Sequence, residues 1–338
     1  MAETVKTRIA RGNQPMEIFR LAASILVLLV HIPFTGHLNM VINCLARCAV
    51  PGFLAISGFF CYGASSEKLA GRLWGLVKLT AAAFGLELIW NCALVELEGG
   101  SSIGFLRAVL TNAEYYGDFF LKNTNPLRDT LWYLPAAMEV MAVLWIYVRL
   151  HGERPVNYRW FYLAGLVLFA CNLIMGVMDK FLGIPVSILQ YRNALLFGVP
   201  MAAMGLFLGQ YWKQLLARFR LSNQVLTALV LGCLGVSLWE WYGLGGRDVM
   251  VGSVTAVFFL MLLMAKNPTV TANARVCRCI GTFGGLSTAV YVTHGVAGDF
   301  CQQFLPDIGI PMPLLTLALS LAAGWIWVCL RSLVKRKK

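Results

Sequence analysis

Between Ile18 and Gly36 the chain reads IFRLAASILVLLVHIPFTG. About 20 consecutive, mostly apolar residues are what a helix needs to cross the hydrocarbon core of a bilayer, and this run has that length. It reads as a membrane span rather than a cleavable signal peptide, because the apolar run is long, no small-x-small site follows, and it contains His31 and Pro33. Working outward, runs of the same character follow over 39–62, 73–95, 131–149, 159–178, 193–212, 224–241, 249–266, 281–300 and 313–331. The predicted architecture is all-α and integral to the membrane, with about ten transmembrane helices.

The composition agrees. Of 338 residues 59% are hydrophobic and 13% charged, and the mean hydropathy is +0.70. A water-soluble domain carries about 25% charged residues, so lipid must solvate most of this surface. Disordered chains, disulfide scaffolds and DNA-binding domains are excluded on the same grounds, and no nucleic-acid partner is expected. Lys and Arg number 28 against 16 Asp and Glu, a net charge of +12. In a membrane protein such an excess marks cytoplasmic loops. With the N-terminus inside, the inner segments hold most of the basic residues, and an even span count returns the C-terminus to the same side. Both termini are therefore expected in the cytoplasm and the protein in the plasma membrane. Residues 1–17 read as a cytoplasmic segment and 332–338 as a basic cytoplasmic tail. Residues 96–130 read as an outer loop: Ser101 to Arg128 mixes Phe105, Tyr115, Tyr116, Phe119 and Phe120 with polar residues, too broken to span, as an amphipathic piece at the interface would be. Most of the ten cysteines lie in or beside apolar runs, where Cys packs as a small hydrophobe. Cys277 and Cys279 have no second Cys/His pair nearby, so no metal is expected.

Ionisable residues at membrane depth are expensive and are functional candidates by default. They are Arg20, His31, Arg47, Glu87, Glu139, Arg192, Glu240 and His294. Arg47, Glu87 and Glu139 each lie eight residues below the outer end of a predicted span, roughly 12 Å deep, so an Arg47–carboxylate pair is expected, either as structural glue or as part of a site. His31 and His294 are either hydrogen-bonded packing groups or general bases, since the imidazole proton leaves near neutral pH. Trp132 and Tyr133 read as interfacial belt aromatics. Ser57 in Ser57-Gly58-Phe59 reads as close helix packing rather than a nucleophile. The Gly281-Thr-Phe-Gly284-Gly285 stretch reads as a flexible helix start.

Four pieces, taken in order, resemble one family. Glu17-Ile-Phe-Arg20 followed by an apolar run to His31 is similar to an opening Asp-x-x-Arg and Arg-x10-His. Arg47-Cys-Ala-Val-Pro51-Gly-Phe-Leu-Ala-Ile-Ser57-Gly58-Phe59 resembles a second-helix Arg…Val-Pro-x-Phe-x-x-x-Ser-Gly-Phe. Leu131-Trp132-Tyr133-Leu134 resembles Leu-Trp-Phe-Leu, and Leu286-Ser287-Thr-Ala-Val-Tyr291-Val-Thr-His294 resembles Leu-Ser-x-x-x-Tyr-x-x-His. These are the signatures of the membrane-bound acyltransferase family 3, and the resemblance runs over nearly the whole chain as a single transmembrane domain, 1–338. Two departures stand out: Glu17 replaces the usual Asp, and Arg72-Leu-Trp-Gly75 keeps only the first Arg of Arg-x-x-Arg, with Lys68 and Lys78 as stand-ins.

The resemblance implies transfer of an acyl group, most commonly acetyl, from acyl-CoA to a hydroxyl of a cell-envelope carbohydrate. It implies Glu17, Arg20, His31, Arg47 and His294 as catalytic residues, with Arg47 or His294 at the oxyanion. Arg20, Lys68, Arg72 and Lys78 would meet the phosphates of acetyl-CoA, while Glu139, Arg192 and Trp132 would meet the acceptor. His31 would either deprotonate the acceptor or carry the acyl group itself. A multi-span transporter or exporter of a small solute or glycan is the alternative, since buried charges also line transport pathways; no Gly/Pro-interrupted repeat in two halves is visible. A non-catalytic sensor or accessory subunit is a third reading, and it would not need His31.

Overall fold

A computed structural model describes residues 13–125, 127–152, 154–245, 249–305 and 309–336, and the side chains of all of these except 179, 180 and 330–336. Most of the expected N-terminal segment, Arg247 and the last two lysines lie outside the described residues. The described residues form helices and no strand. They divide into two compact units, one made of residues 1–56 and 210–338, the other of 57–209.

The first unit opens with α1, Gln14–His31, four residues earlier than the apolar run alone places it. Asn13 explains the start. Its side chain accepts from Met16 N at 3.0 Å, and Pro15 occupies the first turn, where a missing N–H costs nothing. Asn13 Nδ2 also donates to Met264 O at 2.8 Å, and Gln14 Oε1 accepts from Val270 N at 2.8 Å, so the helix start is tied to the far end of the chain. Two helices follow, α2 (His37–Ala46) and α3 (Ala49–Cys61), where the sequence reads as one unbroken span. A proline ring clashes with the carbonyl four residues back; for Pro51 that carbonyl belongs to Arg47, and the helix breaks there.

The second unit, beginning within α3, continues with α4 (Ser66–Leu97), α5 (Ser102–Thr111) and α6 (Ala113–Leu121). At 32 residues α4 is about 48 Å long, about 18 Å beyond a hydrocarbon core of about 30 Å; Lys68 and Arg72 lie in its first two turns. The 96–130 segment is thus two short helices rather than a loop with one amphipathic piece. Next come α7 (Tyr133–Leu150), α8 (Arg159–Phe181), the single turn α9 (Ile188–Tyr191), a π-helical turn over Ala194–Gly198, and α10 (Val199–Arg218). Gly58 and Gly209 let α3 and α10 touch backbone to backbone: a Cβ on Gly58 would collide with Ala202 O. The Ser57-Gly58-Phe59 signature is therefore read correctly as close packing.

Back in the first unit, α11 (Asn223–Leu244) and α12 (Val251–Lys266) form a tight hairpin, followed by α13 (Ala274–Ile280), α14 (Phe283–Phe304) and α15 (Met312–Arg336). Glu240, a candidate from its depth, has a structural task here. Its two oxygens accept from Val251 N at 3.0 Å and Gly252 N at 2.8 Å, placing a carboxylate at the positive end of α12. The stretch expected to begin the basic tail continues α15 as helix to Arg336. Leu28, Leu29, Ile42 and Val290 form a buried cluster with Leu317 and Leu321 packed on it, which fastens α1 and α2 to α14 and α15.

Eight segments among the described residues are long and apolar enough to cross a membrane. Of the ten sequence runs, Val251–Lys266 is an apolar helix of 16 residues, and α14 has the length at 22 residues but is too polar to be among the eight.

Candidate active site

α1 and α14 lie side by side and run the same way. At their starts Gly284 faces Glu17, one turn on Ser287 Oγ donates to Arg20 O at 2.9 Å, and near the far end of α1 Gly298 faces Ile32. Four of the five residues expected in catalysis, Glu17, Arg20, His31 and His294, lie along this seam. Arg20 donates to Glu17 Oε1 at 3.3 Å, as an i, i+3 pair on one helical face should. The Gly281–Gly285 stretch has a second task besides starting a helix: a Cβ on Gly284 would stand 2.5 Å from Glu17 Oε2 and 3.8 Å from an Arg20 nitrogen. The bare backbone lets α14 sit this close to the ion pair with the Glu17 tip where it is. Gly284→Ala is expected to displace the Glu17 tip and lower transfer activity about tenfold, the worth of one hydrogen bond to a charged group, with little change in melting temperature. Kinetics beside a thermal melt check this; wild-type kinetics would show that the pair tolerates displacement.

Farther along the seam His31, the last residue of α1, meets His294. Their rings stack, with centroids 5.5 Å apart and planes 25° from parallel. His294 is 1% exposed, whereas His31 is open. His294 Nδ1 lies 2.7 Å from Tyr291 O. A carbonyl only accepts, so Nδ1 carries the hydrogen and Nε2 is the basic nitrogen of the neutral ring. A neutral His294 in this tautomer has no N–H at Nε2 to offer an oxyanion.

Arg47, the other catalytic candidate, caps the end of α2 with its guanidinium over the Trp241 ring, 5.3 Å from the centroid. The carboxylates expected beside it have partners inside the second unit. Glu87, fully buried, is paired with Arg128 at 2.8 Å. Glu139 accepts from Asn123 Nδ2 at 2.8 Å. Asn123 also receives Ala194 N on its own oxygen and sits at φ 55°, a left-handed conformation that Asn tolerates better than other side chains. Sequence reasoning missed Asn123. The signal was an Asn-Thr-Asn-Pro turn at 123–126 following an apolar helix.

Among the remaining candidates, Arg72 donates to Phe60 O at 2.9 Å and to Cys61 Sγ at 3.0 Å, closing the end of α3. Lys68 shares its helical face at i, i+4. Lys78 lies over Trp74 instead, 5.2 Å from the ring centroid. Arg192 pairs with Asp129 at 2.9 Å and covers the Trp132 ring at 5.1 Å. Trp132 is buried, packed against Phe197, and so is not a belt aromatic. Cys44, Cys48, Cys61 and Cys301 are buried free thiols, and no three His, Cys, Asp or Glu side chains cluster as metal ligands would among the described residues.

Residues 14–331 match a family model described as an acyltransferase domain. The chain belongs to acyltransferase family 3. Nearly all of the described structure, including both ends of the α1–α14 seam, falls inside the match. No curated protein and no solved structure matches the chain. Family membership and the apolar helices together make it a multi-pass membrane acyltransferase, and they place the Glu17–Arg20 pair and the histidine pair within the acyltransferase domain.

Proposed function

We propose that this acyltransferase moves an acetyl group from acetyl-CoA to a hydroxyl of a cell-envelope carbohydrate, and that the α1–α14 seam is where it does so. The observation that carries the reading is the stacked His31–His294 pair, a proton-accepting group that shares α1 with the Arg20 guanidinium. Arg20 and His31 are eleven residues apart on α1, roughly 16 Å along the helix, about the span of an extended pantetheine arm. Arg20 would bind a phosphate of the donor, its guanidinium steadied by Glu17 and offering donors beyond the one that pair uses. Lys68, near the start of α4, is a further phosphate-binding candidate, and Arg72 beside it also holds α3.

In the chemical step the acceptor oxygen attacks the thioester carbonyl, forming the C–O bond as the C–S bond breaks. His31, the open member of the pair, takes the hydroxyl proton. His294 steadies the ring by stacking and, with Nε2 basic, shares the positive charge that arrives. The proton then leaves with the thiolate as the free thiol of CoA, and the histidines return to their starting state.

A plasma-membrane location with both ends in the cytoplasm is supported by the basic residues flanking the spans and by helix direction. α15 packs antiparallel to α14, with Thr316 beside Gly298 and Gly324 beside Ala289, so α15 ends on the side where α1 begins. The test is turnover by the purified full-length protein in proteoliposomes with radiolabelled acetyl-CoA and a cell-envelope glycan extract. Label is expected to move to glycan as CoA is released. No CoA release with any acyl-CoA from acetyl to palmitoyl, acceptor present, would reject the reading.

A further inference from the structure

One face of α2 carries chemistry that nothing above explains. Asn39, Asn43 and Arg47 follow at i, i+4 and i+8, a single row down a helix that is otherwise apolar after His37. The row is flanked on one side by Ile42, which clusters with Leu28 and Leu29 of α1. On the other side Cys44 Sγ donates to Ser237 Oγ of α11 at 3.4 Å. Leu38 and Val41, the exposed apolar residues of α2, lie about 150° around the helix from the two asparagines, at 3.6 residues per turn. An amide set against lipid is costly. Asn39 and Asn43 avoid that cost: they are half-buried and face the strip between α1 and α11, all three helices belonging to the first unit.

The two amides are bonded to each other. Asn43 Nδ2 donates to Asn39 O at 2.9 Å and to Asn39 Oδ1 at 2.7 Å. A backbone carbonyl only accepts, so the Asn43 amide has its NH₂ end towards Asn39, and the Asn39 amide has its oxygen towards Asn43. Both hydrogens of Asn43 Nδ2 are thereby engaged, which leaves Asn43 Oδ1 to accept and Asn39 Nδ2 to donate. A donor beside an acceptor matches a pair of neighbouring hydroxyls, each of which can do either. It matches a phosphate poorly, because Oδ1 has no hydrogen to offer. The row also has a fixed level. After the short 32–36 connection α2 folds back along α1, and the clustering of Ile42 with Leu28 and Leu29 brings Asn39 level with His31. Asn43 lies one turn deeper, and Arg47, over the Trp241 ring, a turn beyond that.

We propose that Asn39 and Asn43 bind the acceptor as a carbohydrate with two adjacent hydroxyls. Asn39 Nδ2 donates to one and Asn43 Oδ1 accepts from the other, while a further hydroxyl of the same molecule lies at the open His31 ring. The asparagines select the acceptor and take no proton in the transfer. That role for the bound sugar rests on the transfer reaction proposed above, whereas the binding itself requires no turnover.

The test is binding of a fluorescently tagged cell-envelope glycan extract to the full-length protein in nanodiscs, run beside the transfer assay. Two variants are compared with wild type: Asn39→Asp, which keeps the shape and replaces the NH₂ donor by oxygen, and Asn43→Leu. Each is expected to weaken glycan binding about tenfold, the worth of one good hydrogen bond. The glycan KM should rise by the same factor, with the acetyl-CoA KM and the melting temperature unchanged. Mild periodate treatment of the extract, which cleaves between carbons bearing adjacent hydroxyls, is expected to lower wild-type binding to the level of the variants. No wild-type binding, unchanged binding in both variants, or wild-type binding indifferent to periodate would overturn the proposal. An equal rise in both KM values, the mark of a merely structural role, would also overturn it. If Asn43→Leu does not fold, Asn39→Asp decides alone. Glycan bound through the asparagines with no CoA released from any acyl-CoA would reject the transfer reading and leave the binding site standing.

Discussion

In the proposed mechanism, His31→Ala and His294→Ala are each expected to lower acetyl transfer by 10²–10⁴-fold, the usual worth of a positioned general base. The two losses have different origins. His31 is the open ring that would meet the hydroxyl, so its removal deletes the proton acceptor. His294 is buried, its Nδ1 hydrogen held by Tyr291 O and its face against His31, so its removal leaves the first ring unsupported and the arriving charge unshared. Groups that act as one unit give losses that do not add, and the double variant is expected to be no more than a few-fold worse than the poorer single. Single-turnover assays with acetyl-CoA on proteins of matched melting temperature check this. A product of two independent losses would mean the rings act separately, and wild-type turnover in either single variant would remove the pair from the mechanism.

Gly58→Leu is expected to have the largest effect on stability. Helix propensity favours the change by up to about 1 kcal/mol. Against it stands a collision with Ala202 O, a backbone atom of another helix that cannot swing aside as a side chain can. Overpacking costs about 1–3 kcal/mol and more where backbones must separate, and in lipid the crossing has little hydrophobic drive to offset it because association depends on close packing. The collision wins. A thermal melt in detergent is expected to fall by several degrees or the folded yield to collapse, whereas Gly85→Ala on α4, where a Cβ meets nothing, is expected to melt at or above the wild-type temperature. Equal melting of Gly58→Leu and wild type would place the α3–α10 crossing elsewhere.

The contrast between Gly58 and Gly284 shows what could and could not be read in advance. Gly58 lies in a small-residue signature that sequence reasoning links to helix contact. Gly284 reads as a flexible helix start, and its further task of admitting α14 to the Glu17–Arg20 pair depends on a partner helix at the other end of the chain. The pairing of Glu17 with Arg20 was legible because both lie on one face of one helix. Glu87 was legible as a buried carboxylate that needs a partner, but its partner, Arg128, comes from a stretch too broken to read as structure. Trp132 reads as an interfacial aromatic and is buried beneath Arg192, because its exposure is set by the neighbours that cover it.

Sequence alone determined that this chain is an all-helical membrane protein and which residues had to be explained. Both follow from local chemistry: apolar runs of bilayer length have few other uses, and an ionisable group inside one is costly wherever it points. The tertiary structure decided which of those groups meet. His31 and His294 face each other because α1 and α14 run parallel at a rotation and register set by Gly284, Ser287 and Gly298. Contacts of that kind are made by packing between sequence-distant surfaces, and no spacing within either segment encodes them.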